Sequence, residues 1–133
     1  MRFDVLTLFP DMFEAILNES IIGRAQDKRF IQVNLHNIRE FSKDKHKKAD
    51  DYPYGGGKGM LMMAQPIFDT YMSIVEKLDY KPKVIYLSPQ GELLKQKLVK
   101  KFAEENHLIL LCGHYEGVDA RIFELFDIDE VSI

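Results

Sequence analysis

Two hydrophobic patterns take turns along this chain: short, continuous apolar runs, and longer stretches in which apolar residues recur three or four positions apart. Runs of the first kind suit strands buried on both faces, and stretches of the second suit helices with one buried face. Phe3 to Phe9 reads as a first strand. Pro10-Asp11 then opens a helix with Met12, Phe13, Ile16 and Leu17 on one face, and Ser20 is placed to cap a second through Ile21, Ile22 and Ala25. Phe30 to Ile38 alternates as a strand, and from Arg39 to Tyr54 the periodicity vanishes into an unusually long charged loop. Gln65-Pro66 begins a helix with Ile67, Tyr71, Ile74, Val75 and Leu78 on one face. Val84 to Leu87 predicts a strand broken by Ser88-Pro89-Gln90-Gly91, and Leu94, Leu98 and Phe102 mark the next helix. Leu108 to Leu111 predicts another buried strand, Val118 to Phe126 a helix, and Glu130 to Ile133 a last strand.

The predicted order, β-α-α-β-loop-α-β-α-β-α-β, is that of an α/β fold, a mostly parallel sheet flanked by helices. The helix between the Val84 and Leu108 strands is long enough for a crossover, so these strands are expected side by side and parallel. Their following loops, Ser88 to Gly91 and Cys112 to Gly117, would then face each other across a crevice at the carboxyl ends of the strands, where ligands bind in such folds. Gly113 and Gly117 let the backbone between them approach a ligand closely.

Composition narrows the class. At 133 residues with 46% hydrophobic content the chain amounts to one globular domain. The apolar opening is interrupted by charge and ended by Pro10, which suits a cytoplasmic strand and neither a signal peptide nor a membrane span. Cys112 is the single cysteine, so no intramolecular disulfide forms. Net charge is −3, yet Arg39, Lys43, Lys45, Lys47, Lys48 and Lys58 concentrate in one region that can meet phosphate; such a mixed run is also what a solvated surface looks like. The chain stops at Ile133 within a predicted strand, which leads us to expect a piece of a longer protein.

The glycine-rich run Tyr54-Gly55-Gly56-Gly57-Lys58-Gly59-Met60 fits neither phosphate-binding pattern. A P-loop needs glycine where Tyr52 stands and Ser or Thr where Gly59 stands, and a dinucleotide fingerprint needs glycine at Met60. A surface loop and a substrate-covering loop both remain open for it. The four histidines show no zinc-ligand spacing with Cys112, which at a strand end reads as a structural thiol. Glu116 and Asp119 read equally as functional carboxylates or as acidic residues favoured at a helix start.

Several segments in register carry a resemblance: Leu6-Thr7-Leu8-Phe9-Pro10, Asp50-Asp51-Tyr52-Pro53-Tyr54-Gly55-Gly56-Gly57, Gly59-Met60, Leu87-Ser88-Pro89-Gln90-Gly91 and Cys112-Gly113-His114-Tyr115-Glu116-Gly117. Over its whole length the chain resembles the bacterial tRNA (guanine-N1)-methyltransferases, the TrmD family of SPOUT methyltransferases. The resemblance implies a trefoil-knot domain that moves a methyl group from S-adenosyl-L-methionine to N1 of guanosine 37, beside the anticodon of tRNA, in a cytoplasmic homodimer. It implies that Tyr86, Leu87, Ser88 and Pro89 line one side of the cofactor pocket, that Gly113, Tyr115, Glu116 and Gly117 form the next wall, and that Ile133 begins a third loop. Asp50, Tyr54, Gly55, Gly56, Gly57 and Gly59 would shape the guanosine site. The resemblance also admits Mg2+.

Family members continue past Ile133 with a segment that completes the knot, and then with a helical tRNA-binding domain. The proposed base and its arginine lie there, leaving Glu116 as the catalytic candidate in this chain. Residues 1–133 are thus expected to be an incomplete N-terminal methyltransferase domain with little or no activity alone. Two alternatives stand beside this reading: a SPOUT enzyme for another nucleoside, and a non-catalytic binding or dimerisation module.

Overall fold

The computed structural model describes residues 1–133. β1 (Arg2–Thr7) leads through α1 (Asp11–Leu17) and α2 (Ser20–Asp27) into β2 (Gln32–Asn37). A 3-10 turn, Ile38–Phe41, and a small antiparallel ribbon of β3 (Asp50–Asp51) and β4 (Leu61–Met62) follow. α3 (Ala64–Val75), β5 (Lys83–Leu93), α4 (Gln96–Ala103), β6 (His107–Leu111), α5 (Ile122–Leu125) and β7 (Asp129–Ser132) complete the chain. The five long strands form one sheet in the order β2-β1-β6-β5-β7, every pair parallel, as the apolar runs and helical crossovers predict. No helix is long and apolar enough to cross a membrane.

Side chains alternate across the strands, so each run feeds two cores. Leu6, Val84, Tyr86, Ile109 and Leu111 pack with Ile67, Tyr71 and Ile74 of α3 and with Ile122 and Phe126. The rings of Tyr71 and Phe126 stack there with centroids 4.1 Å apart. On the other face Ile85, Leu108 and Val131 meet Phe102 of α4, with Leu94 and Leu98 beside them. Fully buried aliphatics such as Ile109 each contribute about 1.5–3 kcal/mol.

Four local expectations are corrected. The strand that begins at Lys83 does not stop at Leu87; it runs to Leu93 with a bulge, because Leu87 and Glu92 both oppose Val131 of β7. Gly91 is required there, since an added Cβ would collide with the backbone of Glu130 and Val131. The helix expected over Val118 to Phe126 shrinks to α5, because Val118 is drawn into a bridge with Met62. Ser20 caps nothing: it is the first residue of α2, at φ +52°, and Glu19 occupies the cap position. The long charged loop is also more ordered than its lack of periodicity suggests. Asp44 accepts hydrogen bonds from the amides of His46 (2.7 Å) and Lys48 (3.2 Å), Ala49 is buried, and the Gln65 side chain donates to the Phe41 carbonyl (2.7 Å).

One charged residue lies inside the sheet. Asp4, in the middle of β1, is wholly buried and gathers donors from three strands. Its Oδ1 accepts from Nε2 of His36 (2.7 Å) and Nδ2 of Asn34 (3.1 Å), and its Oδ2 from Nε2 of His107 (2.6 Å) and Nε of Arg2 (2.7 Å). The Tyr80 hydroxyl stands 3.0 Å from Nδ1 of His107, extending the network to the segment before β5. Burial pushes the Asp4 carboxyl up, but His36, Arg2, His107 and Asn34 outweigh it and hold the group well below the usual carboxylate range. A carboxyl whose native pKa is depressed stabilises the fold above its unfolded value, about 3.9, and loses that contribution as pH falls through the native value. Asp4→Asn should therefore cost about 3 kcal/mol near neutral pH, read as a lower urea midpoint. The gap between the two proteins should narrow as the pH drops below about 4, and a gap independent of pH would show that the charge of Asp4 is not what holds these strands.

Candidate active site

The crevice forms where β6 leaves the sheet. The Cys112 amide still donates to the Leu6 carbonyl (3.0 Å), and at Gly113 the chain turns away from β1. Gly113 passes against the ring of Tyr86 on β5, so that an added Cβ would come within 2.9 Å of the ring's Cε2. Gly117, at φ +134°, flanks the Tyr86 hydroxyl, 3.6 Å from where its Cβ would be. The buried Tyr86 ring thus forms the floor between two glycines, and burial together with the Glu130 charge pushes its phenol up, keeping it protonated. Leu87 and Pro89 are exposed beside it, Ser88 is buried, and the Ser88 hydroxyl accepts from the Gln90 amide (3.2 Å). Residues Gly113 to Glu116 are exposed, and the amides of Gly113, His114 and Tyr115 donate to no protein group. Ile133 follows the end of β7 and is exposed.

The glycine-rich segment joins this crevice through its backbone. The Glu116 amide donates to the Met60 carbonyl (3.1 Å), the Met62 amide to the Gly117 carbonyl (2.9 Å), and the Asp119 amide to the Met62 carbonyl (2.9 Å). Asp50 pairs with Met62 across the ribbon. Gly59, at φ +88°, lies so close to Glu116 that an added Cβ would collide with the glutamate's Cγ. Asp50, Gly59, Glu116 and Gly117 are therefore brought together with Tyr86 and Gly113. The tip of the loop is not: Tyr54 is fully exposed, nothing approaches Gly55 or Gly56, and Gly57 meets only Pro53.

Charge sorts the candidates further. Asp119 is paired through both oxygens with Arg121, whose side chain holds it below the usual carboxylate range, so it is an ion-pair partner and a poor proton acceptor. Glu116 makes no side-chain hydrogen bond or ion pair, which leaves its carboxylate free. Burial pushes the Cys112 thiol up, in keeping with an unreactive structural residue. Of the basic loop, Lys48 pairs with Asp51 (3.2 Å) and Lys43 with Asp69 (3.8 Å). No group of three or more His, Cys, Asp or Glu side chains is arranged to hold a metal ion.

One constellation has no spacing signal in the sequence. Strand order places Arg39 after β2, Phe9 after β1 and His114-Tyr115 after β6, on neighbouring strand ends. Arg39 donates to the Tyr115 hydroxyl (3.4 Å), and the His114 ring stands edge-on to both Tyr115 (4.4 Å) and Phe9 (4.9 Å). The Tyr115 side chain thus faces the β1 and β2 side of the loop.

Comparison with known proteins identifies the family. The family model described as tRNA (Guanine-1)-methyltransferase TrmD matches residues 1–133. The chain is 59% identical over 133 residues to a tRNA (guanine-N(1)-)-methyltransferase of Ruminiclostridium cellulolyticum, covering all of this chain and 57% of that protein. It is 51% identical over 134 residues to its counterpart in Clostridioides difficile, covering 58% of that relative. A crystal structure of tRNA (m1G37) methyltransferase from Aquifex aeolicus superposes with a TM-score of 0.89 at 37% identity, covering all of this chain and 59% of the other. The chain thus spans somewhat more than half the length of the relatives it matches. With one family model matched end to end and relatives above half identity, this chain belongs to the TrmD family of tRNA (guanine-1)-methyltransferases.

Proposed function

We propose that the protein carrying this chain methylates N1 of guanosine 37 in the anticodon arm of tRNA, with S-adenosyl-L-methionine as donor. The observation that carries this reading is the junction of the two loops: the Gly113–Gly117 wall beside Tyr86 is hydrogen-bonded to the Met60–Met62 segment at Glu116 and Gly117. A donor pocket and a guanosine pocket would then share one edge.

The residues present fit the donor. Gly113 and Gly117 let the loop lie close against the Tyr86 ring without a side chain projecting between them, the free amides of Gly113, His114 and Tyr115 offer polar contacts, and Leu87 and Pro89 offer apolar surface. Tyr86, Leu87, Ser88 and Pro89 would hold one side, Gly113, Glu116, Gly117 and the main chain of Tyr115 the other, and Ile133 would begin the closing segment. When bound, the donor supplies an activated methyl group on a sulfonium. Within residues 1–133 no group of three or more His, Cys, Asp or Glu side chains is placed to hold a magnesium ion.

Guanine N1 carries a proton that must leave as the methyl arrives, so a base has to stand at that atom. Asp119 is committed to Arg121, which makes Glu116 the free carboxylate for orienting guanine in this chain. Asp50 and Gly59 would line the guanosine pocket, and the Tyr54–Gly57 tip would cover it. The base and a cation for the developing oxygen charge are assigned to the segment beyond Ile133, together with the knot and a helical tRNA-binding domain. Residues 1–133 are on this reading the incomplete N-terminal domain of a cytoplasmic homodimer, with little or no activity alone.

Calorimetric titration of S-adenosylhomocysteine into the folded 133-residue chain should show binding, and Gly113→Val should abolish it while circular dichroism stays unchanged. Equal affinity in the two proteins would sink the pocket assignment. Protein completed to the length of its relatives should yield N1-methylguanosine from tRNA; a different methylated nucleoside would overturn the substrate. Gly59→Ala strains a positive-φ position against Glu116 and should cost at least about 1 kcal/mol. It should also speed hydrogen exchange at the amides of Met62, Glu116 and Asp119, and unchanged exchange would mean that the two loops are not coupled.

A further inference from the structure

The aromatic group on the far side of the Gly113–Gly117 loop is used neither by the core nor by the donor pocket. Phe9 and Tyr115 remain 38% and 41% exposed, although rings of this size at the end of a buried sheet have apolar neighbours to cover them. They are held all the same. His114 is edge-on to both, at interplanar angles of 71° to Phe9 and 69° to Tyr115, and Arg39 fixes the Tyr115 hydroxyl. In an edge-to-face chain each ring leaves a face uncovered. Tyr115 sits at φ +58°, a conformation that a bulky residue adopts at a cost, and strain of this kind collects at functional sites.

From this geometry we infer that Phe9, His114 and Tyr115, with Arg39, form a stacking platform for the unpaired RNA base next to the target guanosine. The inference rests on the RNA-methylating reading above. Exposed rings with an adjacent guanidinium are the chemistry by which proteins hold single-stranded bases. The lysine-bearing loop that follows Arg39 adds positive charge for the backbone phosphates. The location supplies the reason for a platform. A guanine held inside the crevice cannot remain in its strand's stack, so it leaves its neighbours at a cost in stacking. β1 lies two strands from β5, about 10 Å at the usual strand spacing, which a splayed dinucleotide can bridge. A platform at that distance gives the deserted neighbour a new face to stack on.

The test uses protein completed to the length of its relatives and anticodon-arm hairpins carrying 2-aminopurine on one side or the other of the guanosine. Wild type should quench the fluorescence at one of the two positions. Phe9→Ala and Arg39→Ala should each lose that quenching and raise KM for the hairpin on the order of tenfold, with affinity for S-adenosylhomocysteine unchanged. Phe9→Tyr, which keeps the ring, should restore both readouts and guards against a simple folding defect. Quenching at neither position, or quenching and KM that survive both alanine substitutions, would overturn the platform while leaving a working methyltransferase in place. Failure of the wild type to make N1-methylguanosine would instead overturn the functional reading, and the platform would then stand or fall on the quenching alone.

Discussion

Gly113 beneath Tyr86 is the contact on which the crevice depends. β5 and β6 are adjacent and parallel, so at their carboxyl ends the two chains must separate within one strand spacing. A side chain at position 113 would run into the Tyr86 ring and force one of them aside, either filling the crevice or tearing the ring from the core it shares with Leu111 and Ile122. The missing side chain lets the ring stay in the core and still serve as a floor. The loop can then spend its exposed amides on a ligand, because Cys112 has already completed the bonding to β1.

The two ends of the sheet are built on opposite principles. At the end bearing Arg2, Asn34 and His107, the buried carboxylate of Asp4 cross-links β1, β2 and β6 with charge-assisted hydrogen bonds, and every buried polar side-chain atom finds a partner. At the other end, main-chain donors are left open and Gly59, Tyr115 and Gly117 sit at positive φ. A saturated network tolerates no rearrangement without loss, whereas an unsaturated loop gains from any ligand that completes it. Rigidity at one end is what allows openness at the other without fraying the sheet.

What the sequence discloses follows the same division. β1, β5, β6 and the core face of α3 are legible because continuous apolar runs and three-to-four spacing report burial directly, whatever the partners are. The loop at Gly113 is legible too, since a glycine after an apolar run marks where the buried strand must end. The contraction of the Val118 helix is not legible: it is decided by Met62, more than fifty residues away, whose amide and carbonyl compete for the same backbone. Nor is the continuation of β5 through Pro89, which depends on β7 arriving to pair with both sides of the bulge. Asp4 did leave a sign, a charge inside the run from Phe3 to Leu8, but only strand order reveals that His36 and His107 are its partners. The Arg39, Phe9 and His114 group left none, because its members come from three separate strand ends.

Met62 then explains how the two halves of the site act as one. It is fully buried, and its amide and carbonyl bond to Gly117 and Asp119, on either side of Val118. Through the ribbon it also fixes Asp50, and Gly59 stands three residues before it against Glu116. A ligand that shifts the backbone at Gly117 must move Met62, and with it Asp50 and Gly59, the two residues that the proposed function assigns to guanosine. On the proposed function the effect would be reciprocal by linkage: whatever free energy a bound donor contributed to ordering the glycine-rich segment, an RNA ordering the same segment would contribute to holding the donor. The coupling needs no long pathway, only that two neighbouring loops share three backbone hydrogen bonds, through which a displacement of one is carried to the other.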